Sequence, residues 1–180
     1  MTMRNDGVDF FLNLCYNNVG EERRKEMRRQ DKYPNTEVFH YLNLNPHNRI
    51  TTDCVVRAIA GAVAHSADSF KNEKVCKALW GVVMNSLTDW ACDSGYMPTD
   101  TKCYSGYLVN HGFIKHGQLR HDDNTKYTLK EFIDTHRTGT YLVNMPCHLT
   151  LVIDGVNYDN WDCTKSSSKI GVFWEKCECF

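Results

Sequence analysis

The 180-residue sequence lacks several things, and each lack removes a class of function. No apolar run approaches the roughly 18 to 20 residues that span a bilayer, and the opening MTMRNDGVDFFLNL carries acidic residues and no signal-peptide hydrophobic core. Both point to a cytoplasmic protein without a membrane role. There is no excess of charge of either sign: 21 Lys plus Arg stand against 22 Asp plus Glu, a formal net charge of -1. Nothing in the whole-molecule charge therefore favours nucleic acid or an acidic surface, and no nucleic-acid fold signature accompanies the aromatic and basic residues. Internal repeats and low-complexity tracts are missing as well.

Cysteine is abundant, but the pairings that would explain it are absent. The nine cysteines are odd in number and scattered, which suits reduced thiols better than a disulfide framework. Cys147, His148, Cys163, Cys177 and Cys179 invite a zinc reading. There is, however, no Cys-x₂-Cys or His-x₃-His pair among them, so neither a metal nor any other cofactor is expected.

What is present fits one domain over 1–180, since 42% hydrophobic and 12% aromatic residues suffice for a core. A charged helical extension is expected at about 1–45. Its run GEERRKEMRRQDK at 20–32 holds six basic and four acidic residues. Two readings of it stay open: a solvated helix laced with i,i+4 ion pairs, or a small phosphate-contacting patch. Residues 33–50, with Pro34, Pro46 and several Asn and His, read as irregular.

The first clear helix starts near Thr52 or Asp53, either of which can cap it. Val56, Ile59, Ala60 and Val63 make a buried stripe, and Ala58 and Gly61 permit close packing on a second side. A second helix starts at Ser66 or Ser69, with a stripe of Val75, Leu79, Val82, Val83, Leu87 and Trp90, and stops at Gly95. A third covers about Thr101 to His111. Thr128 with Glu131 forms a capping box for a fourth, Leu129 to roughly Thr135. After Gly139 the period becomes two: TYLVNM, HLTLVID, VNYDNWD and KIGVFWE read as strands of an antiparallel meander. Helices first and a meander after give the class α+β.

Asp154-Gly155 between two β-patterned runs is a strong signal for a two-residue type I′ hairpin, which opposes Ile153 to Val156. Counting outward places Leu149, Leu151, Ile153, Val156 and Tyr158 on one face, against the helices. His148, Thr150, Val152, Asn157, Asp159 and Trp161 share the other. Asp159 becomes the diagonal neighbour of His148, within reach of an imidazole N–H, and Asn160 points to the opposite side. Such a carboxylate would fix the tautomer and stabilise the imidazolium. An ordinary surface His-Asp pair on a solvated sheet face is the alternative. Trp161 beside the pair could exclude water and line a substrate site.

Cys54 falls in the first turn of its helix, where the positive end of the macrodipole and unbonded N–H groups favour a thiolate. A small buried hydrophobe is the commoner fate of a cysteine. A helix-start cysteine, a histidine 94 residues later and an acid 11 residues beyond it follow the chain order of a thiol-dependent hydrolase.

At these residues the sequence resembles the papain-like cysteine peptidase superfamily. It looks closest to small bacterial and phage members carrying DC..RA early and GHL...DG..YD.WD late; the corresponding stretches here are DCVVRAIA (Asp53 to Ala60) and CHLTLVIDGVNYDNWD (Cys147 to Asp162). The likeness spans roughly 45–175 in architecture and about 25 residues in motif. It implies a papain-like fold with a central buried helix, Cys54 as nucleophile, His148 as base and acid, and Asp159 as the orienting residue. Such enzymes often place a Gln shortly before the cysteine to bind the oxyanion. This chain has none there, and Asn48 is the nearest substitute, beside the Cys54 backbone N–H. Cys147 stands where the pattern has Gly. The expected activity is hydrolysis of a peptide or isopeptide bond in a peptide or protein substrate. A thiol acyltransferase or deamidase using the same triad, and a non-catalytic accessory binding protein, remain alternatives.

Overall fold

The computed structural model describes residues 30–177 except Asp68 and Lys71. The charged run at 20–32 lies outside the described residues apart from Gln30 to Lys32, which are helical. The chain is α+β. In order, the elements are β1 (Phe39–Tyr41), α1 (Cys54–Ser66), α2 (Glu73–Ser94), α3 (Thr101–Asn110), β2 (Phe113–His116), α4 (Leu129–Thr135), β3 (Thr140–Met145), β4 (His148–Ile153), β5 (Val156–Asp159) and β6 (Phe173–Lys176). One 3-10 turn, Cys163–Lys165, separates β5 from β6.

The strands form one mixed sheet in the order β1-β5-β4-β3-β6-β2. Strands β3, β4 and β5 make the expected meander, and Leu151 pairs with Tyr158, Val152 with Asn157 and Ile153 with Val156. Asp154 and Gly155 both have positive φ, 47° and 76°, as a type I′ turn demands. Three features depart from the meander. β6 crosses over to pair with β3, β1 adds in parallel to β5, and β2 closes the far edge on β6. β1 lies inside the stretch read as a charged extension and irregular loop, yet Phe39 is fully buried.

Helix α1 is buried nearly all round, because α2 packs on one side and β4 on the other. Gly61 makes this possible: a Cβ there would stand 2.6 Å from Leu151 Cδ2. Helix α2 is capped by Asn72, whose side chain accepts from Val75 N–H, rather than by Ser66 or Ser69, and it ends at Gly95 in the left-handed region. Its buried residues are Cys76, Val83, Leu87 and Ala91, whereas Val75 and Val82 are exposed. Helix α4 carries the expected capping box of Thr128 and Glu131.

Apolar side chains pack on both faces of the sheet. Ile59, Leu87, Leu108, Leu149, Leu151 and Trp174 belong to the cluster on the α1–α3 side. Leu129, Phe132, Ile133, Val143, Val152 and Phe173 form a second cluster around α4. Each fully buried large side chain contributes about 1.5–3 kcal/mol. The face of β4 carrying Val152 and Thr150 is therefore covered by α4 and the 3-10 turn, not solvated. Among the described residues no helix is long and apolar enough to cross a membrane.

Candidate active site

Strand β4 begins and β5 ends at the same end of the sheet, and the N-terminus of α1 meets them there. Three side chains named from sequence converge at that point. The Cys54 thiol and the His148 ring border the same cleft, and each shifts the other's ionisation. On the other side of the ring, His148 Nε2–H donates to Asp159 Oδ2 at 2.7 Å. With Nε2 engaged by the carboxylate, Nδ1 is left for the sulfur.

Asp159 is 1% exposed and fully solvated by protein. Its Oδ2 also accepts from Thr150 Oγ1–H at 2.7 Å. Its Oδ1 accepts from Arg57 Nη2 at 2.9 Å and from the Asn160 backbone N–H at 2.7 Å. Asn160 thus supplies a backbone donor to the carboxylate while Asp159 holds the imidazole. Thr150 is itself positioned by Asn157 Nδ2, which donates to its hydroxyl at 2.7 Å and to the Leu151 carbonyl at 3.1 Å. The Cys163 thiol, 3.5 Å from Asp159 Oδ2 and 3.6 Å from His148 Nε2, closes the inner side. The Trp161 ring lies 5.4 Å from the imidazole, tilted by 55°.

Arg57, one turn after Cys54, was not singled out by sequence reasoning. It is 3% exposed and bridges Asp159 and Asp53. The second Asp53 oxygen accepts from Trp80 Nε1–H at 3.0 Å. Turned this way, the Asp53 carboxylate makes no cap hydrogen bond to α1. The first-turn N–H groups are then not consumed by their own N-cap side chain. The signal was in the motif: an Arg four residues after an Asp, set in an otherwise apolar helix, must find partners when buried.

The electrostatics follow from this network. Burial is the largest influence on Cys54 and opposes its ionisation. It is outweighed by the polar interaction with His148, the Leu149 backbone N–H and the charges of His148 and Arg57, so the thiol titrates below its ordinary value. Burial likewise opposes the charged form of His148, but the hydrogen bonds and charges of Asp159 and Cys54 raise its pKa to about 9. Asp159 resists its own burial through Arg57 and His148 and stays well below the usual carboxylate range. Burial pushes the Cys163 thiol well up, so it remains neutral. The thiol is shifted down and the imidazole up, the two directions that a thiolate-imidazolium pair requires.

A cleft of about 480 Å³ opens over Cys54 and His148, with Thr52, Thr101, Tyr104, Asn144 and Cys147 on its walls. Asn144 Nδ2 donates to the Tyr104 hydroxyl at 2.5 Å, and Thr101 Oγ1 lies 3.0 Å from the same oxygen. Sequence reasoning missed this polar wall, because nothing local ties α3 to the end of β3. Asn48 is not brought to this cleft; its carboxamide oxygen accepts from Lys77 Nζ at 2.7 Å. Trp161 shields the histidine but does not line the cleft. Cys147 occupies the β3–β4 turn with φ 56°, a left-handed conformation that glycine adopts without strain.

His148, Asp159 and Cys163 present donor atoms within 4.8 Å of one another. Their chemistry does not suit a cation. The carboxylate already accepts from four N–H and O–H donors, one of them a guanidinium, and the thiol is held neutral. Compared with family models, curated proteins and solved structures, the chain has no match in any of the three.

Proposed function

We propose that this protein is a papain-like cysteine hydrolase that cleaves a peptide or isopeptide bond through Cys54, His148 and Asp159. The observation that carries the reading is that Cys54, at the start of α1, borders one cleft with His148, whose ring is held at 2.7 Å by a buried carboxylate. In this reading the Cys54 thiolate attacks the scissile carbonyl carbon, and the oxyanion is met by N–H groups of the first turn of α1. The imidazolium gives its proton to the departing amine nitrogen as the C–N bond breaks, leaving a thioester on Cys54. His148, now neutral, takes a proton from water; the hydroxide attacks the thioester and releases the acid, restoring the thiolate-imidazolium pair. Asp159 keeps the ring oriented, and Arg57 keeps Asp159 ionised.

The test is labelling by a mild thiol electrophile, read residue by residue by mass spectrometry. Cys54 is expected to react ahead of the six other described thiols, which include the exposed Cys92 and Cys147, and to lose that advantage in His148→Ala. Equal reactivity of Cys54 in wild type and His148→Ala would remove the catalytic reading.

A further inference from the structure

The side chains of Asn72, Asp100 and Thr128 accept from backbone N–H groups at the starts of α2, α3 and α4, each from an extended backbone. Helix α1 is preceded by Asp53, a residue type that caps as well as any. Its carboxylate nevertheless makes no cap bond, and its backbone stands at φ -92°, ψ 20°. The cause is not the residue type, because Asp100 caps α3 in the ordinary way. It lies in what holds the carboxylate.

One Asp53 oxygen is taken by Arg57 and the other by Trp80 Nε1–H at 3.0 Å, and the side chain is 7% exposed. Arg57 is divided between Asp53 and Asp159. An indole has a single donor, so that of Trp80, on α2, is committed to Asp53. The ring packs against the apolar cluster around α1, which fixes the direction of its N–H. Loss of this bond would leave a buried oxygen without a partner, and the N–H groups of the first helical turn are the donors that a carboxylate at this position ordinarily takes. Cys54 is the first residue of that turn. The charges of His148 on β4 and Arg57 on α1 act on its sulfur, and its own charge acts on Tyr104 of α3. A carboxylate swung onto the helix start would set a negative charge beside the sulfur and occupy the donors that an oxyanion needs.

The geometry points to Trp80 as a positioning residue of the reaction: its indole N–H draws the Asp53 carboxylate off the N-terminus of α1, and so leaves the first-turn N–H groups open beside Cys54. The assignment rests on the cysteine-hydrolase reading above, and deepens it by adding a residue that acts through Asp53 without touching substrate.

The experiment follows the rate of Cys54 alkylation by iodoacetamide against pH in the full chain, for wild type, Trp80→Phe and the double variant Trp80→Phe with Asp53→Ala. Trp80→Phe should move the profile to higher pH and slow alkylation on its acid side about fivefold. The double variant should recover the faster rate, since no carboxylate remains to swing; a loss of packing alone would not be repaired by a second substitution. Benzothienylalanine at position 80 keeps the shape of the indole without its N–H, and should reproduce the Trp80→Phe profile even if the smaller phenyl ring disturbs the fold. A wild-type profile with benzothienylalanine, or slowing that persists once Asp53 is removed, would overturn the role of Trp80 and leave the hydrolase reading in place. Alkylation that is the same in His148→Ala as in wild type would overturn the hydrolase reading and the role of Trp80 with it.

Discussion

His148 Nε2 and Asp159 Oδ2 are 2.7 Å apart, and the opposite oxygen of the same carboxylate is held by Arg57 at 2.9 Å. The imidazole is oriented by a group that is itself fixed. Asp159→Asn keeps the shape and removes the charge. The His148 pKa should then fall from about 9 toward the ordinary value near 6.5, followed by the imidazole C–H resonances during a pH titration. Asn160→Ala keeps the backbone N–H that bonds Asp159 and should leave the His148 titration in place. The opposite ranking would shift the orienting role to Asn160.

Arg57 sits between two buried carboxylates. Arg57→Met removes the guanidinium that both share, leaving Asp159 with His148 alone, and breaking a buried ion pair from one side costs about 3–5 kcal/mol. Thermal or denaturant unfolding should show a loss of that order. The pH dependence has a definite sign. Asp159 titrates lower in the folded protein than in the unfolded chain, so its contribution is present above the unfolded value near 3.9 and is lost as pH falls below it. Wild-type stability should decline with acid through that range, and Arg57→Met should decline less steeply. An unchanged slope would mean that Arg57 does not hold the Asp159 charge.

Cys147 adopts φ 56° in the β3–β4 turn, and the left-handed conformation costs an L-residue roughly 1–2 kcal/mol. Glycine removes that strain but frees the unfolded chain by about 0.4–1 kcal/mol. Cys147→Gly should therefore raise stability by about 1 kcal/mol or less, seen as a higher melting temperature, whereas Cys147→Val should lower it. A destabilised glycine variant would indicate that the cysteine side chain makes contacts worth more than its backbone strain.

Thr150 joins Asp159 to Asn157 through one hydroxyl, at 2.7 Å on each side. Thr150→Val keeps the shape and strips the carboxylate of a donor. A loss of about 1–3 kcal/mol is expected from the buried polar groups left short of a partner, measured by denaturant unfolding. A change near zero would mean that the Asp159 network closes up without it.

Local signals in the sequence were legible where one physical constraint dominates. Asp154-Gly155 fixes a turn with positive φ at both residues, and the register of β4 against β5 follows from counting. Thr128 and Glu131 reciprocally satisfy the first turn of α4. The proximity of His148 to Asp159 came from that same register. What was hidden depends on contacts distant in sequence. β1 has three residues among Asn and Pro, and only its parallel partner β5 makes it a strand. The stripe of α2 faces the core at Leu79, Val83, Leu87 and Trp90 as expected, but Val75 and Val82 extend the apolar pattern beyond the packed side and are exposed, while Cys76 is buried there instead. The polar wall of Tyr104 and Asn144 joins residues 40 apart. Arg57 was visible as a charge in an apolar helix four residues after Asp53, but its second partner, Asp159, becomes evident only once α1 lies against the end of β5.

The most direct test of the central claim is the ionisation of Cys54, followed by thiolate ultraviolet absorbance against pH in wild type, with Cys54→Ala subtracted. The account predicts a thiolate that persists below the ordinary thiol value of 9.0 and shifts upward in His148→Ala as its imidazolium partner is lost. A wild-type Cys54 that titrates at or above that value, unmoved by His148→Ala, would contradict it.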